Sequence, residues 1–163
     1  MAHLLAKQAY LLVCKDNDQE LVVLTVKGGH MKAFLELYKH GVESHQAYRL
    51  IVSAAEEGHA NLLEFLWHKQ NNSRTQPLNI FTDALSNAAA RGQVEVVRFL
   101  LSQHPEMVNS KGRKQRRAPT ALHQACIGGS VEVVRLLIGA GAELFDSALE
   151  LAIKHGHVGK GLR

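Results

Sequence analysis

The sequence has few cysteines, few aromatic residues and no long apolar run, and each shortage excludes a class of protein. Two cysteines, Cys14 and Cys126, cannot form a disulfide framework. No stretch approaches the roughly 20 apolar residues that a membrane-spanning helix needs. The N-terminal stretch has an uncharged core of only QAYLLVC after Lys7, and no A-x-A pattern follows it, so a signal peptide is not indicated. We therefore expect an intracellular, cytoplasmic chain that does not enter a membrane.

The overall composition indicates a folded chain of modest size. Its 163 residues are 46% hydrophobic, which is too apolar for a disordered segment. This length allows one domain or two small ones. The formal net charge of +4 suggests an acidic partner.

A short pattern recurs along the chain and is centred each time on a glycine. Two segments are near copies of each other: NAAARGQVEVVRFLL from Asn87 and QACIGGSVEVVRLLI from Gln124. Weaker copies extend the series in both directions. The five glycines are Gly29, Gly58, Gly92, Gly129 and Gly156, at spacings of 29, 34, 37 and 27 residues. Repetition on this scale is typical of solenoids, in which each repeat packs on its neighbours.

The residues around each glycine predict two helices joined by a tight turn. Small residues four and three positions earlier would let the first helix pack closely: Ala54, Ala55, Ala88, Ala89, Ala125 and Cys126. Seven positions earlier, on the same helical face, stands an apolar residue: Val22, Ile51, Leu85, Leu122 or Leu149. The glycine allows the left-handed conformation that ends the first helix. An amphipathic second helix then follows at once.

The copy from Thr120 resembles a known family. Its TALHQAC, followed by GGSVEVVRLLIGAGA, is similar to the ankyrin-repeat signature TPLHxAA…G-x-x-EVVxLLLxxGA, with Ala121 in place of proline. The mean glycine spacing of about 32 residues is close to the ankyrin period. The resemblance is strongest at residues 82–104 and 119–142, and it extends over most of the chain.

The resemblance implies an all-α fold, an ankyrin-repeat solenoid of about five helix-turn-helix repeats. We interpret residues 1–163 as a single domain in which residues 2–15 form an N-terminal capping helix over the first repeat. After Gly156 the chain reads HVGKGLR and stops, and two glycines in seven residues make a poor helix. Two explanations stay open: a half-formed last repeat, or a chain that is a fragment of a longer protein.

In ankyrin repeats the segment between successive repeats usually forms a projecting finger, and the spacing of 37 residues implies one long finger here. It contains five cations within seven residues: Lys111, Arg113, Lys114, Arg116 and Arg117. Such a cluster can contact acidic protein surface, bind phosphate or act as a nuclear import signal, and it can also be a solvated loop without a role. Since these five charges exceed the net charge of +4, the rest of the chain is close to neutral.

The resemblance also implies where a partner would bind, because ankyrin solenoids typically use a concave surface made by the fingers and one side of the first helices. The corresponding positions lie five, two and one before each turn glycine. We call the following candidates the contact row: Lys27, Ser53, Glu56, Glu57, Asn87, Arg91, Gln124 and Ile127. Its charge changes sign from repeat to repeat, which favours a protein partner over a nucleic acid.

Residue patterns for catalysis or metal binding are lacking. The ten histidines show neither HExxH nor ligand spacing, and the resemblance explains several of them, with His59 following a turn glycine and His123 in the TPLH position. Neither Cys14 nor Cys126 has a visible partner base, and Cys126 occupies a packing position. Trp67, the only tryptophan, takes a position where an apolar core residue is expected. We therefore expect no cofactor and no metal.

Together these features predict a non-catalytic protein-binding module that is a monomer. One alternative is the ankyrin part of a larger enzyme, or of a secreted bacterial effector, whose catalytic region is absent from this chain. A less favoured alternative is nucleic-acid binding through residues 111–117, which lack an aromatic residue for base stacking. The alternatives imply other locations: the nucleus if the basic cluster is an import signal, and a host cell for an effector.

Overall fold

The computed structural model describes residues 18–39, 47–71, 79–110, 119–143 and 153–154. Within the first four of these ranges lie eight α-helices and one short 3-10 helix, Pro105–Met107. The α-helices are α1 (Asp18–Lys27), α2 (Met31–Lys39), α3 (Ala47–Glu57), α4 (Ala60–Asn71), α5 (Asn79–Arg91), α6 (Val94–Gln103), α7 (Ala121–Gly128) and α8 (Val131–Gly139). The all-α class predicted from the sequence is confirmed.

The helices form consecutive pairs, and each pair turns at a predicted glycine. Gly29, Gly58, Gly92 and Gly129 have φ angles of 69°, 86°, 72° and 73°. This left-handed region is unstrained only for glycine, so the residue type and the turn require each other. We number the pairs as the first to fourth repeats, α1–α2 to α7–α8. The fifth predicted turn, at Gly156, lies outside the described residues.

The first helices of consecutive repeats pack side by side, and the second helices α4, α6 and α8 form a layer behind them. Close packing is possible because the facing residues are small. Ala54, Ala55, Ala88, Ala89 and Ala125 are all 0% exposed, whereas Cys126 is half-buried. The apolar residue one helical turn earlier is also buried in four repeats: Val22, Ile51, Leu85 and Leu122. Leu149 lies outside the described part of the chain.

Trp67 near the end of α4 is 4% exposed, which confirms its predicted core position. Its indole packs edge-on against Phe81, at the beginning of α5, and lies 5.2 Å from the His104 ring. Helix α5 begins at Asn79, three residues before the segment of strongest resemblance at residues 82–104. The added turn exists because Ile80 and Phe81 bury their side chains in the core.

Three sequence interpretations fall outside the described residues. They are the capping helix at residues 2–15, the basic finger at residues 111–117 and most of the fifth repeat, of which Ile153 and Lys154 are described as helical. The single-domain interpretation of residues 1–163 therefore stays a prediction.

Candidate protein-binding surface

The contact row occupies the first helices α1, α3, α5 and α7, close to the turns that end them. Its exposed members are Lys27, Glu57 and Arg91. Four others are half-buried: Glu56, Asn87, Gln124 and Ile127. Ser53 is only 8% exposed and therefore offers little surface to a partner. The five finger cations, Lys111, Arg113, Lys114, Arg116 and Arg117, lie outside the described ranges.

Two members of the contact row with opposite charge pair with each other. The Arg91 guanidinium donates from Nη2 to Oε1 of Glu56 at 2.5 Å, across α5 and α3. Their side chains stay 57% and 34% exposed, so solvent screens the pair and its contribution to stability is about 0–1 kcal/mol. The alternating charges seen in the sequence are therefore partly neutralised within the molecule.

A second bridge joins the opposite ends of the same two helices. The Tyr48 hydroxyl donates to Oδ2 of Asp83 at 2.8 Å. Sequence reasoning missed this contact, although its separation of 35 residues is close to the spacing of 34 residues between Gly58 and Gly92. The second and third repeats are thus linked across their surface near the C-terminal ends of α3 and α5 and also nearer their N-terminal ends.

The side chain after a turn glycine reaches back to the preceding repeat. His59 Nε2 donates to the Lys27 carbonyl at 2.9 Å, and Gln93 Nε2 donates to the Glu56 carbonyl at 3.1 Å. Each of these side chains lies directly over the turn glycine of the preceding repeat, where a Cβ would collide with it. We call the region where two consecutive repeats pack against each other a junction. His59 therefore has a structural role at the junction between the first and second repeats.

The junction between the third and fourth repeats is built differently. Ser130, the equivalent of Gln93, accepts from the Val133 N–H and caps α8. Gly128, near the end of α7, lies so close to the Ala90 carbonyl oxygen that a Cβ there would overlap it. Backbone contact replaces the side-chain bridge at this junction.

The segment that follows α6 is also hydrogen-bonded to the segment that follows α8. Asn109 Nδ2 donates to the Gly141 carbonyl at 3.1 Å, and the Glu143 N–H donates to Asn109 Oδ1 at 2.8 Å. These bonds hold the described start of the long finger, up to Ser110, against the fourth repeat. The TALH segment forms the start of α7. It is stabilised by a hydrogen bond between the Thr120 hydroxyl and His123 Nδ1 at 2.7 Å.

Two amides of the contact row have no comparable partner. The side chains of Asn87 on α5 and Gln124 on α7 occupy equivalent positions in neighbouring repeats. Neither side-chain amide hydrogen-bonds to another residue in the part of the chain that the structure describes. Their donors and acceptors are available to a ligand.

The described side chains provide little evidence for catalysis or for metal binding. Burial raises the pKa of the Cys126 thiol, which keeps it protonated and weakly nucleophilic at neutral pH. Within the described ranges no three His, Cys, Asp or Glu side chains are grouped as metal ligands. None of the described helices is both long and apolar enough to cross a membrane.

Comparison with known proteins agrees with this geometry. The family model of ankyrin repeats (3 copies) matches residues 85–160, a span with three of the turn glycines, Gly92, Gly129 and Gly156. These residues are similar to ankyrin repeats. A comparison with curated proteins gives no match.

The same helix-turn-helix architecture extends in the structure to repeats before the matched span. Helices α1 to α4 have the same turn geometry, and His59 makes the same backward bond as Gln93. The fold is an all-α ankyrin-repeat solenoid, as the resemblance implied. Ankyrin repeats are in general protein–protein interaction modules, and the family is generally non-catalytic.

Proposed function

We propose that this chain is a non-catalytic module that binds a protein partner through the concave side of its first helices and through its long basic finger. The main support for this proposal is the Arg91–Glu56 bond, because it requires the C-terminal ends of α5 and α3 to be adjacent. Side chains of successive repeats then form one surface that a partner can span.

The charges of the contact row favour a protein over a nucleic acid. Lys27 and Arg91 are cationic and exposed, while the exposed Glu57 lies between them in the row. A nucleic-acid track needs positive charge throughout, since affinity depends on the number of phosphates neutralised. Mixed signs instead suit a protein surface with complementary charges, which set orientation and association rate.

The basic finger supports an acidic partner surface. Its five cations lie in the sequence between the described residues Ser110 and Pro119, and α7 begins two residues after Pro119. We propose that a partner in contact with α5 and α7 also contacts these cations. The finger would then add affinity that depends strongly on salt.

An affinity pull-down with charge variants tests this proposal. Arg91→Glu combined with neutral residues at the five finger cations should lower partner recovery about tenfold, because like charges now oppose each other. Arg98→Glu is the matched control for the Arg91→Glu part of this variant, since it reverses one arginine charge on the exposed face of α6. Recovery that is unchanged by the combined variant would contradict the proposal.

A salt-titrated binding assay with duplex DNA and RNA examines the nucleic-acid alternative. We expect no specific binding at physiological salt. Tight binding that weakens steeply with salt and is lost when the finger is neutralised would replace the protein partner with a nucleic acid.

A further inference from the structure

We infer that the surface between α5 and α7 binds an extended peptide segment that carries an acidic residue. This amide strip consists of Asn87, Gln124 and Ile127, with Arg91 at its edge. The inference rests on the proposed function and assigns the class of segment that this part of the contact row accepts.

The amide strip differs from the neighbouring part of the contact row in having free polar groups. Asn87 and Gln124 are half-buried, and their amides make no hydrogen bond to other described residues. Between α3 and α5, by contrast, Ser53 is buried, and the Tyr48–Asp83 and Arg91–Glu56 bonds occupy the polar side chains. Each amide offers both a donor and an acceptor, so the pair can bond to groups of either kind.

The spacing of the two amides suits an extended main chain. Packed helices lie about 8–10 Å apart, and an extended chain of the polyproline II type rises about 3.1 Å per residue with about three residues per turn, so residues three apart present the same face to the two amides. The main-chain N–H and C=O groups of an extended segment are unpaired and match the donors and acceptors of Asn87 and Gln124. A helical partner has already paired these groups internally and gains less.

Arg91 gives the strip its preference for an acidic residue. A guanidinium has five N–H donors, and within the described residues Glu56 accepts from Nη2 alone. With its side chain 57% exposed, Arg91 can bond a second carboxylate from a ligand. Ile127, half-buried beside Gln124 on the strip, supplies apolar contact for an uncharged neighbour of that acidic residue.

Selection from a phage-displayed library of random dodecapeptides tests the inference. Peptides selected on the full chain should share an Asp or Glu, and their affinities are then measured by fluorescence anisotropy. The double variant Asn87→Ala/Gln124→Ala should bind them about tenfold more weakly, because two hydrogen bonds are lost. Asn61→Ala/Gln103→Ala is the matched control on exposed positions of α4 and α6, and it should bind as the wild type does.

A second measurement leaves the protein unchanged and so does not depend on the variants folding. N-methylation of single main-chain amides in a selected peptide should lower its affinity about tenfold at one or two positions, since each removes one donor. Replacing the acidic residue by its amide should lower affinity for the wild type but hardly for Arg91→Gln.

The inference is overturned if no peptide is enriched, if the double variant binds as tightly as its control, or if main-chain N-methylation has no effect. These failures are distinct from failure of the proposed function. Partner capture that depends on Arg91 and the finger but not on Asn87 and Gln124 would keep the protein-binding module and exclude the extended-peptide site.

Discussion

Two neighbouring junctions of this solenoid are held together by different means. Between the second and third repeats, Gln93 and Arg91 both bond to Glu56, and Tyr48 bonds to Asp83. Between the third and fourth repeats, the backbone of Gly128 lies directly against the Ala90 carbonyl. Both junctions bury small residues of the first helices, with Ala88 and Ala89 shared between them, so close packing by itself does not distinguish them.

The comparison shows how one repeat frame can produce both a closed and an open surface. Side-chain bridges use the polar groups of a junction internally, which leaves few of them for a ligand. Close backbone contact needs no side chain, so Asn87 and Gln124 stay free at the junction with Gly128. Gly128 in α7 thereby affects both how closely the repeats pack and which side chains of the contact row are available to a ligand.

A second difference separates the third and fourth repeats after their second helices. Gly141 has a φ of 92°, while the equivalent His104 has a φ of −142° and is followed by Pro105. A residue before proline is restricted to extended conformations, so the chain leaves α6 along another path. The His104 ring then stacks on Phe81, which also packs against Trp67.

The largest expected effect comes from the aromatic contact in the core of the second–third junction. Trp67→Ala should lower the free energy of unfolding by about 3–5 kcal/mol, because a large buried side chain is removed and a cavity remains. Urea unfolding followed by far-UV circular dichroism measures it. Trp67→Phe should cost much less, since the indole Nε1 finds no acceptor among the described residues. Equal losses for the two variants would contradict a packing role.

Gly128→Ala should lower the free energy of unfolding by about 2 kcal/mol, because its Cβ would overlap a backbone oxygen that cannot move aside. Gly139→Ala is the matched control: it also lies at the end of a helix, but nothing lies within 4 Å of its Cβ, so helix propensity should slightly stabilise it. In Gly128→Ala the Trp67 fluorescence should report a later transition than circular dichroism, because the second–third junction is intact. Coincident transitions would mean that the junctions are not separable.

The smallest expected effect belongs to the exposed ion pair of the second–third junction. A double-mutant cycle with Arg91→Ala and Glu56→Ala should give a coupling energy of about 0.2–1 kcal/mol, since both side chains are solvated. The coupling should fall further at high salt. A coupling well above this range that persists in salt would show that the surface bridges, rather than the aromatic core, decide the stability of this junction.

Much of the fold could be predicted from local residue patterns. Gly58 and Gly92 mark turns because only glycine adopts their φ angles without strain, and Ala88 and Ala89 mark the packed face because larger side chains would not fit. The early start of α5 could not be predicted from the aligned copies. It depends on Phe81 burying against Trp67 from another helix, and no pattern within α5 records that contact.

The local residue patterns predicted only part of the candidate site. The repeat frame located Arg91, Asn87 and Gln124 on one row, but it treated Ser53 as an equal member although that side chain is buried. It also missed Tyr48, whose bond to Asp83 forms only where α3 and α5 meet. Exposure and pairing depend on the neighbours in space of each residue, and a frame derived from spacing does not contain them.

By itself, the sequence determined the repeat, its turns and its buried face, because each depends on backbone conformation or on apolar periodicity within one helix pair. Only the tertiary structure decided which side chains of the contact row bond to each other and which stay available. That outcome depends on how closely α3, α5 and α7 approach, and at Gly128 the absence of a single Cβ permits the closest approach.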